Sequence, residues 1–142
     1  MKDAFGGILN IVLITVFLVI VSGLLAMTVN YTKAFRMKNA VISAIEQYEG
    51  YGCFDEHGDS ACIDKIKEYA EGIGYHPTNL VCNNGFKEVA SYFCYNAPSN
   101  TKNGKKYYSV VTQVDVDMPI VNRIMGFSFF QVHGDTRYIE NW

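Results

Sequence analysis

The stretch that decides the fold is residues 8–27, which read ILNIVLITVFLVIVSGLLAM without one charged residue. An α-helix rises about 1.5 Å per residue, so about 20 residues span the roughly 30 Å hydrocarbon core of a bilayer. A helix on the surface of a soluble protein carries one polar face, whereas this run is apolar on all sides. The stretch therefore predicts a membrane-spanning helix.

Two other interpretations of this run are a buried core helix and a cleaved signal peptide. Residues 28–142 are too few to wrap a fully buried helix easily. A signal peptide has an apolar region of about 7–15 residues and small residues before the cut. Here the run is longer, and Leu24, Leu25 and Met27 precede any cut near Thr28. We expect an uncleaved chain anchored in the lipid membrane.

The helical pattern continues beyond the apolar run. Apolar residues recur at spacings of three and four, which is typical of an amphipathic helix, until Gly50 and Gly52 stop the pattern. The sequence predicts one helix from about residue 5 to residue 49; the alternative is a span followed by a separate surface helix. The predicted units are residues 1–27, 28–50 and 51–142. The apolar stripe of the second unit comprises Ala34, Met37, Val41, Ala44, Ile45 and Tyr48.

The third unit predicts a small α+β head with an antiparallel sheet. A second helix begins near Asp59 or Ser60 as the N-cap, presents apolar residues from Cys62 to Ile73, and ends at the glycines Gly72 and Gly74. Residues 107–118 alternate with a period of two, which predicts a strand with the even-numbered residues buried and the odd-numbered ones mostly solvated.

Three further features describe the predicted sheet. Asn83-Asn84-Gly85 predicts a hairpin turn between residues 80–82 and 86–95, because Asn-Gly accepts positive φ. Pro119 ends the strand of residues 107–118, and residues 120–125 form a turn of helix or a bend. Residues 127–139 predict a last strand with a bulge at Gly134.

Four cysteines, Cys53, Cys62, Cys82 and Cys94, follow the apolar run. An even number in a small domain predicts two disulfides and an oxidising compartment. Three pairings are possible, of which Cys53–Cys62 with Cys82–Cys94 is the most local; four free cytosolic thiols are the alternative. Lys33, Arg36 and Lys38 oppose this placement, because the positive-inside rule puts them in the cytoplasm. We weigh the cysteines more heavily and expect an extracytoplasmic head.

Composition and motifs argue against an enzyme and against nucleic-acid binding. The net charge is −2 and the longest basic run is Lys105-Lys106, so no basic patch is expected. Asp115 and Asp117 would lie on one side of a strand as Ca²⁺ ligands, but solvated charges are the simpler interpretation. Catalysis would need His133 to converge with Asp135 or Asp117, without any nucleophile motif. His57 and His76 form no metal-binding spacing, so no cofactor or metal is expected.

Polar and small residues within the apolar run predict contacts between helices. Asn10, Thr15 and Ser22 would hydrogen-bond across helices, and Gly23 would allow close approach. Asn10 is the best single indicator of association, although a polar residue near the membrane end is also tolerated. The predicted helix-packing residues are Asn10, Gly23, Ala34, Met37, Val41 and Ala44.

The layout resembles pilins and pseudopilins, and most closely the TadE-like proteins of tight-adherence pilus systems. The residues that carry the resemblance are Ala4-Phe5-Gly6-Gly7, the run 8–27, the helical extension 31–48 and the closing strand 127–139. The resemblance implies a subunit that packs its helix against other pilin-like subunits and displays its head outside a bacterial cell. Asp3 is the only acidic residue before the run, which departs from the acidic helix start of the pilin families. This departure favours an uncleaved, minor or assembly-linked subunit.

Two functions follow as hypotheses. The first is a non-enzymatic structural subunit, a minor or assembly component of a bacterial surface pilus or secretion apparatus. The alternative is a membrane-tethered extracytoplasmic domain that binds a ligand or partner on its own. Its binding surface would be an exposed aromatic patch formed by Tyr51, Tyr92, Tyr95, Tyr107 and Tyr108.

Overall fold

One continuous helix dominates the computed structural model, which describes residues 2–49, 51–54, 61–83, 85–96, 105–116, 123, 126 and 128–140. Helix α1, Lys2–Gln47, has 46 residues and is therefore roughly 70 Å long. It joins the apolar run to the amphipathic stripe without a break. The prediction of a single helix is confirmed, and a separate surface helix is excluded.

Two shorter helices follow, α2 at Tyr51–Phe54 and α3 at Ala61–Ile73. Helix α3 ends where the sequence predicted: Gly74 has φ +64°, the Gly74 N–H donates to the Glu71 carbonyl, and the Tyr75 N–H donates to the Ala70 carbonyl. This is a Schellman motif, which needs a residue in the left-handed conformation at Gly74. The predicted N-cap residues Asp59 and Ser60 lie outside the described residues.

A four-stranded antiparallel sheet with the order β1-β2-β4-β5 forms the rest of the head, as the α+β prediction required. A two-stranded sheet pairs β3 with β6. The six strands are β1 Lys87–Val89, β2 Phe93–Asn96, β3 Lys105–Lys106, β4 Ser109–Asp115, β5 Phe129–Asp135 and β6 Ile139–Glu140.

The core lies between α1, α3 and one face of the sheet. The stripe residues Ala34, Met37, Val41 and Ile45 are completely buried. Their neighbours in the core come from α3 and from strands β2 and β4, and include Ile66, Ala70, Phe93, Val110 and Val114. The Thr112 hydroxyl donates to the Ala34 carbonyl at 3.0 Å, so β4 also hydrogen-bonds to the helix. The C-terminal half of α1 is therefore part of the head.

The hairpin lies at a different turn from the one predicted. Residues 80–83 form no strand, and the segment 86–95 divides into β1 and β2 at Ala90 and Ser91, whose φ values are 52° and 61°. The Tyr92 N–H donates to the Val89 carbonyl at 3.1 Å. Two consecutive positive φ values are characteristic of a type I′ turn. Asn-Gly is the commonest pair in such turns, but other pairs also form them. Gly85, with φ +93°, still makes a turn in which the Phe86 N–H donates to the Asn83 carbonyl.

Two details of the last strand also differ from prediction. Residues 136–138 separate β5 from β6, which pairs in the other sheet. The register around Gly134 is regular, with Val110 opposite Gly134 and Val111 opposite His133, so the predicted bulge is wrong. The predicted strand end at Pro119, Asp117, and residues 120–125 except Arg123 lie outside the described residues.

The sheet face predicted to be solvated is partly covered. Val111 and Gln113 are buried there, although both are odd-numbered residues of β4. The segment 75–83 covers Gln113, whose side chain accepts from the Val81 N–H at 3.1 Å and donates to the Thr78 carbonyl at 3.1 Å. The sequence of an irregular segment carries no periodic pattern from which its packing can be predicted. Period-two alternation alone therefore predicted the wrong exposure for Val111 and Gln113.

Candidate functional site

The N-terminal part of α1 is largely exposed: within residues 4–29 no side chain is buried, and Val21, Gly23 and Met27 alone are partly buried. Its large apolar side chains are exposed from Phe5 to Ile20 and again at Leu24, Leu25 and Val29, with Phe5 at 78% and Leu25 at 63%. This is one helix long and apolar enough to cross a membrane, and it fits a membrane anchor or a signal sequence. We call residues 4–29 of α1 the apolar segment.

The polar residues of the apolar segment differ in what they offer to a neighbouring helix. The Thr15 hydroxyl donates to the Ile11 carbonyl and the Ser22 hydroxyl donates to the Val19 carbonyl, so both are bonded within their own helix. Asn10 is exposed and has no hydrogen-bond partner among the residues that the structure describes. Its amide group therefore has both donors and its acceptor free.

Asn10 and Gly23 lie on different sides of the helix. At about 100° per residue, thirteen residues separate them by about 140° around the axis. Gly23 lies on the side that carries Asn30, Ala34 and Val41, which is the side facing the head. Contacts through Asn10 and contacts through Gly23 would therefore be made with different neighbours.

The predicted packing residues of the extension pack within the chain. Ala34, Met37 and Val41 are fully buried against the head, and Ala44 is half-buried beside α3. The prediction that this stripe meets other subunits is therefore corrected: its apolar face is already covered by this chain's own sheet and α3. Surface for another helix remains on the apolar segment.

The four cysteines are bonded as Cys53–Cys62 and Cys82–Cys94, the most local of the three pairings, and no cysteine is free. The first bridge joins α2, just after α1, to the first turn of α3. The second joins the irregular segment 75–83 to β2. Each bridge thus fastens a connecting segment to the core, and both fit an oxidising compartment.

A polar cavity of about 200 Å³ lies at the end of the head nearest the apolar segment. Three elements meet there: the end of α3 just before Gly74, the end of β4 at Asp115, and the start of the head-contacting part of α1 at Asn30. The lining of the cavity includes Asn30, Lys33, Gly74, Tyr75, His76 and Asp115. We call it the membrane-proximal cavity.

Opposite charges lie on the membrane-proximal cavity. The Lys33 ammonium donates to the Gly74 carbonyl at 3.2 Å. The Asp115 carboxylate accepts from the Thr78 N–H and, at 2.7 Å, from the Gln113 side-chain amide. The Asn30 side chain donates to the Asp115 carbonyl at 3.3 Å. Lys33 and Asp115 form no ion pair among the described residues, so each charge keeps bonding capacity for a third group.

Tyr75 closes the floor of the membrane-proximal cavity. Its hydroxyl donates to the Gln113 carbonyl and accepts from the Gln113 N–H, both at 2.9 Å. These backbone groups lie on β4 beyond the end of its neighbour β2. The phenol hydroxyl therefore supplies the hydrogen bonds that a longer β2 would make. Burial raises the pKa of Tyr75 to about 12, the hydrogen bond from the Gln113 backbone opposes that rise, and the nearby Asp115 charge adds to it.

Sequence reasoning did not predict this cavity, because its lining comes from three distant parts of the chain. One signal was available in hindsight: Asn30 and Lys33 are polar residues directly beyond the apolar run, on the side of the helix that carries the stripe. Such residues must contact either the head or the membrane surface.

Of the residues weighed for catalysis and metal binding, His76 and Asp115 line this cavity, whereas His133 and Asp135 do not. His133 and Asp135 are exposed on β5, and the Asp135 carboxylate accepts from the Ser109 hydroxyl at 2.6 Å. His57 and Asp117 lie outside the described residues. Within the described part of the chain, no three His, Cys, Asp or Glu side chains are grouped as a metal site.

The predicted aromatic patch is not one exposed surface. Tyr95 stacks on Phe54 with ring centroids 3.8 Å apart, and Tyr108 contacts the same Phe54 ring at 5.5 Å. Tyr92, Tyr95 and Tyr108 are all partly buried against the core. The Tyr51 side chain lies outside the described residues.

Comparison of the chain with protein-family models, with curated proteins and with solved structures finds no match.

Proposed function

We propose that this chain is a membrane-anchored, pilin-like structural subunit, a minor or assembly component of a bacterial surface pilus or secretion apparatus, without enzymatic activity. The observation that carries the proposal is the division of α1: the apolar segment is exposed on all sides from Phe5 to Ile20, and the continuation of the same helix forms part of the core of the head. The head is thus joined to its anchor by unbroken helix rather than by a flexible linker.

Continuity of the helix supports retention of the apolar segment over its removal as a signal peptide. Residues 24–32 are helical throughout, and the Thr28 and Thr32 hydroxyls donate to carbonyls one turn earlier. A cut near Thr28 would fall in the middle of this regular helix, two residues before Asn30 contacts the head. The single-pass anchor is therefore the form that we propose.

The two disulfides support an extracytoplasmic head, although the cations beyond the apolar segment favour the opposite orientation. Two of those cations have partners within the chain: Lys33 bonds to the Gly74 carbonyl, and the Lys38 ammonium lies 4.3 Å from the centre of the Phe35 ring. Arg36 is exposed. In the proposed orientation Lys33 and Lys38 pack within the chain and do not hold the head in the cytoplasm.

Assembly through the apolar segment is tested by cysteine cross-linking in native membranes. All four native cysteines are paired, so a substituted cysteine supplies the reactive thiol. Asn10→Cys and Gly23→Cys probe two sides of the segment, and Glu68→Cys, exposed on α3, is the matched control on the head. We expect a bis-maleimide to give covalent dimers for at least one segment position and none for Glu68→Cys.

The same variants separate the two candidate functions and report orientation. A chain that stays in the membrane fraction yet gives only monomer for both Asn10→Cys and Gly23→Cys would contradict a subunit assembled through its helix, and would favour the tethered binding domain. Labelling of Glu68→Cys in intact cells by an impermeant maleimide is expected; labelling only after lysis would contradict the extracytoplasmic head.

A further inference from the structure

We infer that the membrane-proximal cavity binds the headgroup of a zwitterionic phospholipid that carries a phosphate and a primary ammonium group. This inference rests on the proposed membrane anchor, because the anchor determines how far the cavity lies from the lipid. It gives the head a lipid ligand that the structural proposal does not include.

The position of the cavity along α1 matches the depth of lipid headgroups. Asn30 and Lys33 follow the end of the apolar run by three and six residues, or about 4.5 and 9 Å along the helix. The headgroup layer on each side of a bilayer is about 5–8 Å thick. Side chains of a helix lean towards its N-terminus, so the Lys33 stem is directed towards the membrane.

The charges on the cavity match the two ends of such a headgroup. The Lys33 ammonium has three N–H donors and uses one on the Gly74 carbonyl, which leaves two for a phosphate. The Asp115 carboxylate has about four acceptor positions and uses two on Thr78 and Gln113, which leaves about two for an ammonium group. The C-terminus of α3, whose dipole attracts cations, ends at the same cavity.

The cavity favours a primary ammonium over a quaternary one. Quaternary ammonium groups are recognised by cages of aromatic rings. The rings that line this cavity belong to Tyr75 and His76, and the Tyr75 hydroxyl is committed to the Gln113 backbone. The acceptors present are carboxylate and carbonyl oxygens, which need an N–H donor. A volume of about 200 Å³ also suits a small headgroup, since pockets for drug-sized ligands have volumes of about 300–1,000 Å³.

The test is native mass spectrometry of the full chain in detergent, titrated with phosphatidylethanolamine, phosphatidylcholine and phosphatidylglycerol of identical acyl chains. We expect the phosphatidylethanolamine complex to form about tenfold more tightly than the other two, the effect of one charge-assisted contact. Equal binding of all three lipids, or preference for the anionic one, would overturn the inference. Binding of soluble phosphoethanolamine without binding of the lipid would overturn the assignment to a membrane ligand.

Matched variants separate the cavity from general surface charge. Asp115→Asn should abolish the preference for phosphatidylethanolamine, because it removes the acceptor for the ammonium group. Lys33→Gln should weaken the binding of all three lipids, because it removes a donor to the phosphate that they share. Arg36→Gln removes an exposed cation of the same helix, and Glu68→Gln removes a carboxylate of α3; neither residue lines the cavity, so both should keep the preference. Loss of preference in Arg36→Gln or Glu68→Gln, or weakening by Arg36→Gln as large as by Lys33→Gln, would show a nonspecific charge effect and would overturn the site.

Two measurements keep the outcome independent of folding and of the anchor. The thermal unfolding midpoint of each variant shows whether the head is intact. If Asp115→Asn unfolds the segment 75–83, the affinity lost in Lys33→Gln relative to Arg36→Gln decides the test. Resistance of the wild-type chain to alkaline extraction from membranes tests the anchor itself. A chain that alkali extracts from membranes would contradict the proposed function. An anchored chain that shows no lipid preference would contradict only the headgroup site.

Discussion

Tyr75 shows how one side chain can complete a sheet. Strand β4 continues beyond β2, so the N–H and carbonyl of Gln113 have no strand partner on that side. A buried backbone group without a partner costs free energy comparable to a lost hydrogen bond. The Tyr75 hydroxyl satisfies both groups because a phenol can donate and accept at once.

Replacing Tyr75→Phe should lower the free energy of unfolding by about 1–3 kcal/mol, because two buried backbone groups of Gln113 lose their partner. Chemical denaturation of the full chain in detergent at pH 8, followed by circular dichroism, measures the difference. Tyr138→Phe is the control, since Tyr138 is 58% exposed, and it should change stability little. Equal stability of the Tyr75→Phe variant and the wild type would contradict the role given to the hydroxyl.

The same residue predicts a dependence of stability on alkaline pH. The pKa of Tyr75 is about 12 in the folded chain and 10.0 for an unperturbed phenol, so between these values the folded state holds a proton that the unfolded state has lost. Its stabilising contribution is complete below pH 10 and falls by about 1.4 kcal/mol per pH unit as the pH rises towards 12. The stability difference between the wild type and Tyr75→Phe should therefore shrink between pH 10 and pH 12. A difference that stays constant over this range would contradict the prediction.

At the scale of elements, α1 and the sheet approach closely at Gly134. A Cβ atom added there would lie 2.8 Å from Lys38 Cδ and 2.9 Å from Ile42 Cδ1. Glycine is thus explained by the close crossing of helix and strand rather than by a bulge. On one side of this crossing Tyr31 packs near Phe130, and on the other Glu46 accepts from the Arg137 N–H. Strand β5 therefore runs parallel to α1 along the whole contact.

Gly134→Val should lower the free energy of unfolding by about 1–3 kcal/mol, the usual cost of overpacking. Gly134→Ala should cost less, because the flexible ends of Lys38 and Ile42 can move by a few tenths of an ångström. Gly72→Ala is the opposite control: Gly72 lies in α3 with nothing within 4 Å of an added Cβ, so alanine should leave stability unchanged or raise it by up to about 1 kcal/mol. Thermal or chemical unfolding checks all three, and an unaffected Gly134→Val variant would disprove the close crossing.

At the scale of the whole molecule, a single helix serves two environments. Its first half exposes apolar side chains on every side, and its second half buries Met37, Val41 and Ile45 in the head. Burial of each large apolar side chain stabilises by about 1.5–3 kcal/mol, so these three together contribute an amount comparable to the roughly 5–15 kcal/mol stability of a typical domain. The head cannot be separated from this part of the helix without losing its core.

Two truncations test this division. A chain of residues 28–142 should fold with both native disulfides and remain in solution without detergent, because the exposed apolar segment is removed and the stripe is kept. A chain of residues 49–142 should fail to unfold cooperatively, because Met37, Val41 and Ile45 are missing. Near-ultraviolet circular dichroism and non-reducing peptide mapping distinguish the two. A folded 49–142 chain would show that the stripe is dispensable for the head.

The sequence by itself determined the features that depend on neighbouring residues. The uncharged run 8–27, the stripe at helical spacing, and the glycine stop at Gly74 are local patterns, and each specified its element correctly. The bonded cysteine pairs are also the most local of the possible pairs. Local periodicity suffices here because a helix satisfies its own backbone and needs only one consistent face.

Only the tertiary structure decided which surfaces meet. It buried the stripe in the chain's own head, covered Gln113 with the segment 75–83, and brought Lys33 and Asp115 to one cavity. Each of these results depends on residues far apart in sequence. It also placed the hairpin turn at Ala90 and Ser91. Period-two alternation can place a side chain on one face of a strand, but what covers that face is settled by the rest of the chain.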